Sequence, residues 1–236
     1  MRTTILFLLC LASAQAALSA APKDMTSFAK SWKLRHQWPE PRKDEGGFLL
    51  GGANSDETLR NLKAINGIPI EELEKRMRPG GYSPVGFLGK DDHLIEVLRK
   101  DNDFVVDKKK SSHRKLALAL EMMEDIGQKV SGQFADKAVQ FLFRGQRYEY
   151  SVRISDGFQA NPFSKSKSFE EGADEELTTS GSGIVTLKNL TNGKQLTWST
   201  MMPFLIQRYG FYEGEGTKFR LAPQKIFALL PFLEKT

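Results

Sequence analysis

Apolar residues recur three and four apart through the first half of the chain and at every second position in a later stretch, which predicts helices first and strands after them. Ser55 is suited to cap a short helix whose first turn carries Asp56 and Glu57, anions well placed against the helix dipole, and Asn66-Gly67 is predicted to end it. Pro69 opens a second helix with Ile70, Leu73 and Met77 on one face, closed by Arg78-Pro79-Gly80-Gly81, so the two form a small helical hairpin. After a Gly/Pro-rich stretch, Asp91 is the predicted N-cap of a third helix in which Leu94, Val97 and Leu98 share a face. Leu116, Leu120, Met123 and Val130 then mark a fourth helix from about Ser112 onward.

The period changes near Ala138. Ala138 to Arg144 reads as a strand, Gly145-Gln146 as a two-residue turn, and Tyr148, Tyr150, Val152 and Ile154 alternate with Arg147, Glu149, Ser151 and Arg153. A second hairpin runs from Ile184 to Leu190 and from Lys194 to Thr200 around Asn192-Gly193. Between the hairpins, Ser164 to Ser182 is rich in Ser, Glu and Gly and reads as a surface loop. The remainder predicts a helix from Met202 to Tyr209 capped by Ser199 or Thr200, a loop from Gly210 to Gly216, a strand from Lys218 to Leu221 and a helix from Gln224 to Leu233. Helices followed by antiparallel strands predict an α+β fold: an N-terminal helical segment packed with antiparallel β-hairpins and two C-terminal helices. A parallel, doubly wound sheet would need the two to alternate.

The N-terminus follows a different pattern. Arg2, the apolar run Ile5 to Ala12 and the small residues of Ala14-Gln15-Ala16 and Leu18-Ser19-Ala20-Ala21 have the three parts of a secretory signal peptide, with cleavage expected after Ala20 or Ala21. The run is too short for a membrane span, which takes roughly 20 apolar residues. The expected division is therefore a signal peptide over 1–21, an irregular arm over 22–47 and a single α+β domain over 48–236. A helical half over 51–132 and a β-rich half over 138–236 is an alternative. Pro22, Pro39, Pro41, Gly46 and Gly47 break up the arm, and one or both of its Trp32 and Trp38 are expected to dock on the folded body.

Composition sharpens the compartment. Cys10 is the only cysteine and lies in the apolar run, so a cleaved chain has no disulfide, thiolate nucleophile or cysteine metal ligand. The 215 residues left of 236 are enough to build a core without staples. This fits a bacterial periplasmic or secreted protein better than a eukaryotic extracellular one, Asn189-Leu190-Thr191 being a single short sequon. The formal charge is +5, and loss of Arg2 leaves 33 basic against 29 acidic side chains. Such a mild excess, without clustered cations among aromatics, argues against nucleic acid and suits contact with an anionic envelope polymer or protein.

Candidate chemistry is sparse. Asp91-Asp92-His93-Leu94-Ile95-Glu96 places His93 and Glu96 about one helical turn apart, where they could share a proton or a metal ion. A zinc site takes three or four ligands, and the ordinary reading is a helix terminus. His113 among Lys108, Lys109, Lys110, Arg114 and Lys115 reads as a solvated linker or an anion site. Gly181-Ser182-Gly183 lacks the setting of a nucleophile elbow, and the carboxylates of Glu170-Glu171, Asp174-Glu175-Glu176 and Asp101-Asn102-Asp103 lack a calcium-loop pattern. Arg208, Tyr209, Phe211 and Tyr212 concentrate charge and aromatic surface beside Gly210, Gly214 and Gly216 and are the candidate ligand-binding residues. The competing reading has Gly210 end a helix with an aromatic packing back. The chain is thus expected to be an exported binding or structural domain without a cofactor or catalytic set, with an envelope hydrolase or a metal-binding periplasmic protein as alternatives.

Overall fold

Alternation of the kind seen at Tyr148, Tyr150 and Val152 forces one sheet face inward, and a five-stranded sheet forms around it. A computed structural model describes residues 21–33, 38–81, 83–132, 137–165 and 180–234. The sheet runs in the order β1 (Lys23–Asp24), β6 (Val139–Phe143), β7 (Gln146–Gln159), β8 (Ser180–Asn189), β9 (Gln195–Ser199). All pairings are antiparallel except β1 with β6. Short two-stranded ladders join β2 (Arg42–Lys43) to β3 (Leu49–Leu50) and β4 (Ala64–Ile65) to β5 (Ile68–Pro69). The helices are α1 (Phe28–Ser31), α2 (Asp56–Asn61), α3 (Ile70–Met77), α4 (Leu94–Asn102), α5 (His113–Ser131), α6 (Met202–Tyr209) and α7 (Pro223–Leu229). A π-helical segment, Asp103–Lys108, continues α4, and a 3-10 turn, Pro231–Leu233, follows α7. The fold is α+β, as the pattern predicts.

The inner sheet face carries Phe141, Phe143, Tyr148, Tyr150, Val152, Val185, Leu187 and Trp198, all buried in one cluster with the stripe of α5. Helix α5 lies against this face because Gly127 lets it: a Cβ there would stand 2.3 Å from the Tyr150 ring. Glu124 of the same helix accepts the Trp198 indole N–H at 2.7 Å, so the buried carboxyl meets a donor. Both arm tryptophans dock, Trp38 buried and Trp32 donating to Asp125 Oδ2 at 2.7 Å. The arm also supplies β1, so it is not wholly irregular.

Local expectations are corrected in several places. Helix α2 stops at Asn61, and Asn66-Gly67 instead forms the turn between β4 and β5, with φ of 53° and 74°. Two further donors explain that turn, since Asn66 N–H donates to Asp44 and its side chain to Phe163 O. The first large hairpin turns at Arg144-Gly145, one residue earlier than predicted, both with positive φ. Ser180 to Gly183 belongs to β8, shortening the predicted loop, and Lys218 to Leu221 is irregular rather than a strand. Helix α6 takes no side-chain cap from Ser199 or Thr200, its N-cap being Met201. Residues 1–20, nearly all of the expected signal peptide, lie outside the described residues, as do His36 and the 166–179 carboxylates. Among the described residues no helix is long and apolar enough to cross a membrane.

Candidate functional site

The four residues expected to bind a ligand do not form a surface. Arg208, Tyr209, Phe211 and Tyr212 are all buried, which corrects the exposed aromatic patch inferred from their composition. Gly210 takes the left-handed conformation at φ 62°, ends α6 and turns Phe211 into the core, where its N–H donates to Leu205 O. A side chain at Gly210 would also press on the His113 ring at 3.1 Å. Tyr209 stacks on Phe163 with ring centroids 3.9 Å apart. Glycines placed for recognition and glycines placed for packing are alike in sequence, and only the contacts separate them.

His113 is likewise no solvated linker. It opens α5 from a buried position, 2.9 Å from the Tyr212 hydroxyl through Nδ1 and 3.2 Å from Asn102 Oδ1 through Nε2. Those partners suit a neutral ring that accepts from Tyr212 at Nδ1 and donates to Asn102 from Nε2. Burial lowers its pKa to about 4. Lys108 and Lys109, grouped with it in the sequence, pair instead with Asp103 and Glu234 at the surface.

His93 and Glu96 are not brought together. The His93 side chain is 73% exposed and lies 3.7 Å from Glu74, while Glu96 is 66% exposed and pairs with Arg99 at 2.8 Å. Asp91 is not the cap of α4: the N-cap is His93, and Glu74 Oε1 of α3 accepts the Leu94 N–H at 2.7 Å. Asp92 binds the Gly89 and Gly216 amides. The start of α4 is thus held by Glu74 of α3, and Asp92 ties the preceding turn to the Gly216 amide, as a helix terminus requires. Among the described residues no group of three or more His, Cys, Asp or Glu side chains is placed to hold a metal ion.

The connection from Gly210 to Leu221 is a strap clamped to α4. Arg220 grips Asp101 of α4 with two nitrogens at 2.6 and 2.5 Å and also donates to Glu213 O at 2.6 Å. Burial raises the Asp101 pKa, and the bidentate guanidinium opposes that shift. Glu215 pairs with Lys100 at 2.8 Å, Gly214 N–H donates to Phe87 O, and Leu221 N–H closes the strap on Tyr212 O at 3.0 Å. Glu213 is buried at φ 65° with Thr217 Oγ1 2.8 Å from Oε2.

The strap delivers Lys218 and Phe219 to the outer face of the sheet, where they complete a groove of about 430 Å³ lined also by Ser151, Arg153, Ile184, Thr186 and Thr197. The register explains the lining: Ser151 pairs with Thr186 and Thr186 with Thr197, so three hydroxyl residues run across adjacent strands. The two threonine hydroxyls are 3.0 Å apart. Arg153 pairs with Ile184 in the next row. Both cations are exposed, and Lys218 has its ammonium 5.3 Å from the Phe219 ring. Neither cation makes an ion pair among the described residues, and no carboxylate lines the groove. Alternation placed Ser151 and Arg153 on the outer face from the outset, but their meeting with Lys218 depends on the strap and left no mark in the sequence. Comparison with protein-family models, curated proteins and solved structures finds no match for this chain.

Proposed function

We propose that the protein is an exported binding domain whose groove on the outer sheet face takes an acidic saccharide, such as a uronic-acid segment of an anionic envelope polymer. The observation that carries this reading is a groove holding two exposed cations, Arg153 and Lys218, with no ion-pair partner and no lining carboxylate among the described residues. Arg153 offers the planar fork that fits a carboxylate at two points, and Lys218 a point charge beyond it. Ser151, Thr186 and Thr197 each donate and accept, which matches sugar hydroxyls; phosphate oxygens would use only their donors. Phe219 and Ile184 supply apolar surface for the C–H face of a pyranose ring. Export is supported by Arg2 and the apolar run Ile5 to Ala12.

Calorimetric titration of the purified protein with tetragalacturonate, its neutral methyl ester and a polyphosphate of similar length tests the assignment. Saturable binding of the uronate is expected, weakened by roughly five- to tenfold in Arg153→Ala and again in Lys218→Ala, with the ester bound least. Equal binding of ester and acid, or an unchanged affinity in the double variant, would remove the groove from consideration. Preference for polyphosphate would replace the saccharide by a phosphate polymer.

A further inference from the structure

The two large hairpins turn at the same end of the sheet. Phe143 pairs with Gln146 across the first turn, Tyr148 pairs with Asn189, and the second turn follows at Asn192-Gly193. Helix α7 and the 3-10 turn Pro231–Leu233 are bound to that end. Asn189 Nδ2 donates to Leu229 O at 3.0 Å, Asn192 Nδ2 donates to Ala228 O at 2.8 Å, and the Phe232 ring meets Phe143 edge-on with centroids 5.3 Å apart. Both hairpin tips, α7 and the 3-10 turn thus make one surface.

Its charge is one-sided. Arg144 and Arg147 stand at the first turn, Lys194 at the second and Lys225 on α7; all four are exposed, and none makes an ion pair among the described residues. Elsewhere, exposed Arg60, Lys100 and Lys108 are answered by Asp56, Glu215 and Asp103. At the margin, Lys109 pairs with Glu234 at 2.6 Å, and Glu149 accepts from Gln140 and lies opposite Lys188 in register. Apolar surface lies among the cations. Ala228 is exposed, Pro231 and Phe232 are partly so, and the Arg144 guanidinium sits 5.1 Å from the Phe232 ring. A cation held over a ring keeps its charge in water while its stem covers apolar surface.

We propose that this end of the sheet is a docking surface for an anionic lipid bilayer: the four cations meet the lipid headgroups, and Ala228, Pro231 and Phe232 enter the headgroup boundary between them. Anionic headgroups attract clustered Lys and Arg, and apolar residues among the cations add the contact that charge alone lacks. A soluble polyanion would engage the cations and leave the apolar residues unused. The cations come from three separate elements, a spread that suits a broad surface. None of these residues lines the groove, and the proposal does not rest on the saccharide reading.

Cosedimentation of the purified protein with vesicles tests the surface. Vesicles of about one-third phosphatidylglycerol in phosphatidylcholine should bind at least roughly tenfold tighter than pure phosphatidylcholine at about 0.1 M salt, and about 0.5 M salt should release the protein. Arg144→Glu with Lys225→Glu should lower binding to the anionic vesicles by roughly tenfold or more. Lys63→Glu with Lys90→Glu, an equal change of charge at exposed positions on other elements, should lower it by less than about twofold. Equal losses in the two double variants, or no loss in the first, overturn the surface. Arg147→Gln with Lys194→Gln gives the same readout should the first variant not fold. Ala228→Trp places a reporter on the exposed side of α7. Its emission should shift to the blue on anionic vesicles and be quenched by lipids brominated along the chain. Vesicle binding without that shift overturns the apolar contact. Tighter binding to soluble polyphosphate than to the vesicles, lost in the same face variant, would replace the bilayer by a soluble polyanion.

Discussion

Gly127 sets the distance between α5 and the sheet more directly than any apolar side chain does. Its missing Cβ leaves space that the Tyr150 ring fills, and no rotamer change at position 127 can restore that space. Gly127→Ala should destabilise the fold by about 1–3 kcal/mol through overpacking, read as a lower urea midpoint at unchanged slope. A neutral outcome would mean that α5 can lift from the sheet without loss. In the sequence this residue is an isolated glycine in a helical run, a weak signal for close approach. Arg208 and Tyr212 illustrate the opposite difficulty: their chemistry suggests recognition, yet Arg208 lies on a buried face of α6 and the left-handed turn at Gly210 carries Tyr212 inward.

At the scale of elements, caps drawn from the same helix were legible and caps borrowed from a neighbour were not. Ser55 and Ser112 accept the amides of Thr58 and Lys115, as their positions before apolar runs predict. The first turn of α4 is served by Glu74 from α3, twenty residues away in the chain. Glu74→Ala should therefore lower stability by about 1–2 kcal/mol, whereas Asp91→Ala should stay within about 0.5 kcal/mol. Thermal denaturation of the two variants separates the borrowed cap from the local one, and the reverse order would reinstate Asp91. The irregular 218–221 segment follows the same logic, because Arg220 is held by Asp101 and Leu221 by Tyr212 rather than by a strand ladder.

For the whole molecule, two buried groups of opposite response shape the pH dependence. His113 is neutral in the fold, its pKa lowered by burial from 6.5 to about 4, so its contribution is present above 6.5 and is lost as pH falls through 4. Glu213 loses its contribution in the other direction, between 4.5 and about 7. Over the shared range from 4.5 to 6.5 the two slopes oppose and largely cancel. Removing either group should expose the other. Relative to the wild type, His113→Gln should gain about 3 kcal/mol between pH 6.5 and 4, seen by urea titration at each pH. Parallel profiles for variant and wild type would show that His113 is not the acid-sensitive group.

The sequence by itself determined the α+β class, most helices and strands, and which residues of β7 face inward, because periodicity and turn chemistry act within a few residues of the chain. It also placed Arg153 and Ser151 on the outer face. Tertiary structure alone decided that His113 is a buried ring, that Glu213 is a shielded carboxyl, and that Lys218 meets Arg153 across a row of hydroxyls. These properties depend on desolvation and on pairs brought together from 99 to 119 positions apart, such as His113 with Tyr212 and Asp101 with Arg220. Burial and long-range pairing are created by packing, so no local pattern of side chains can announce them.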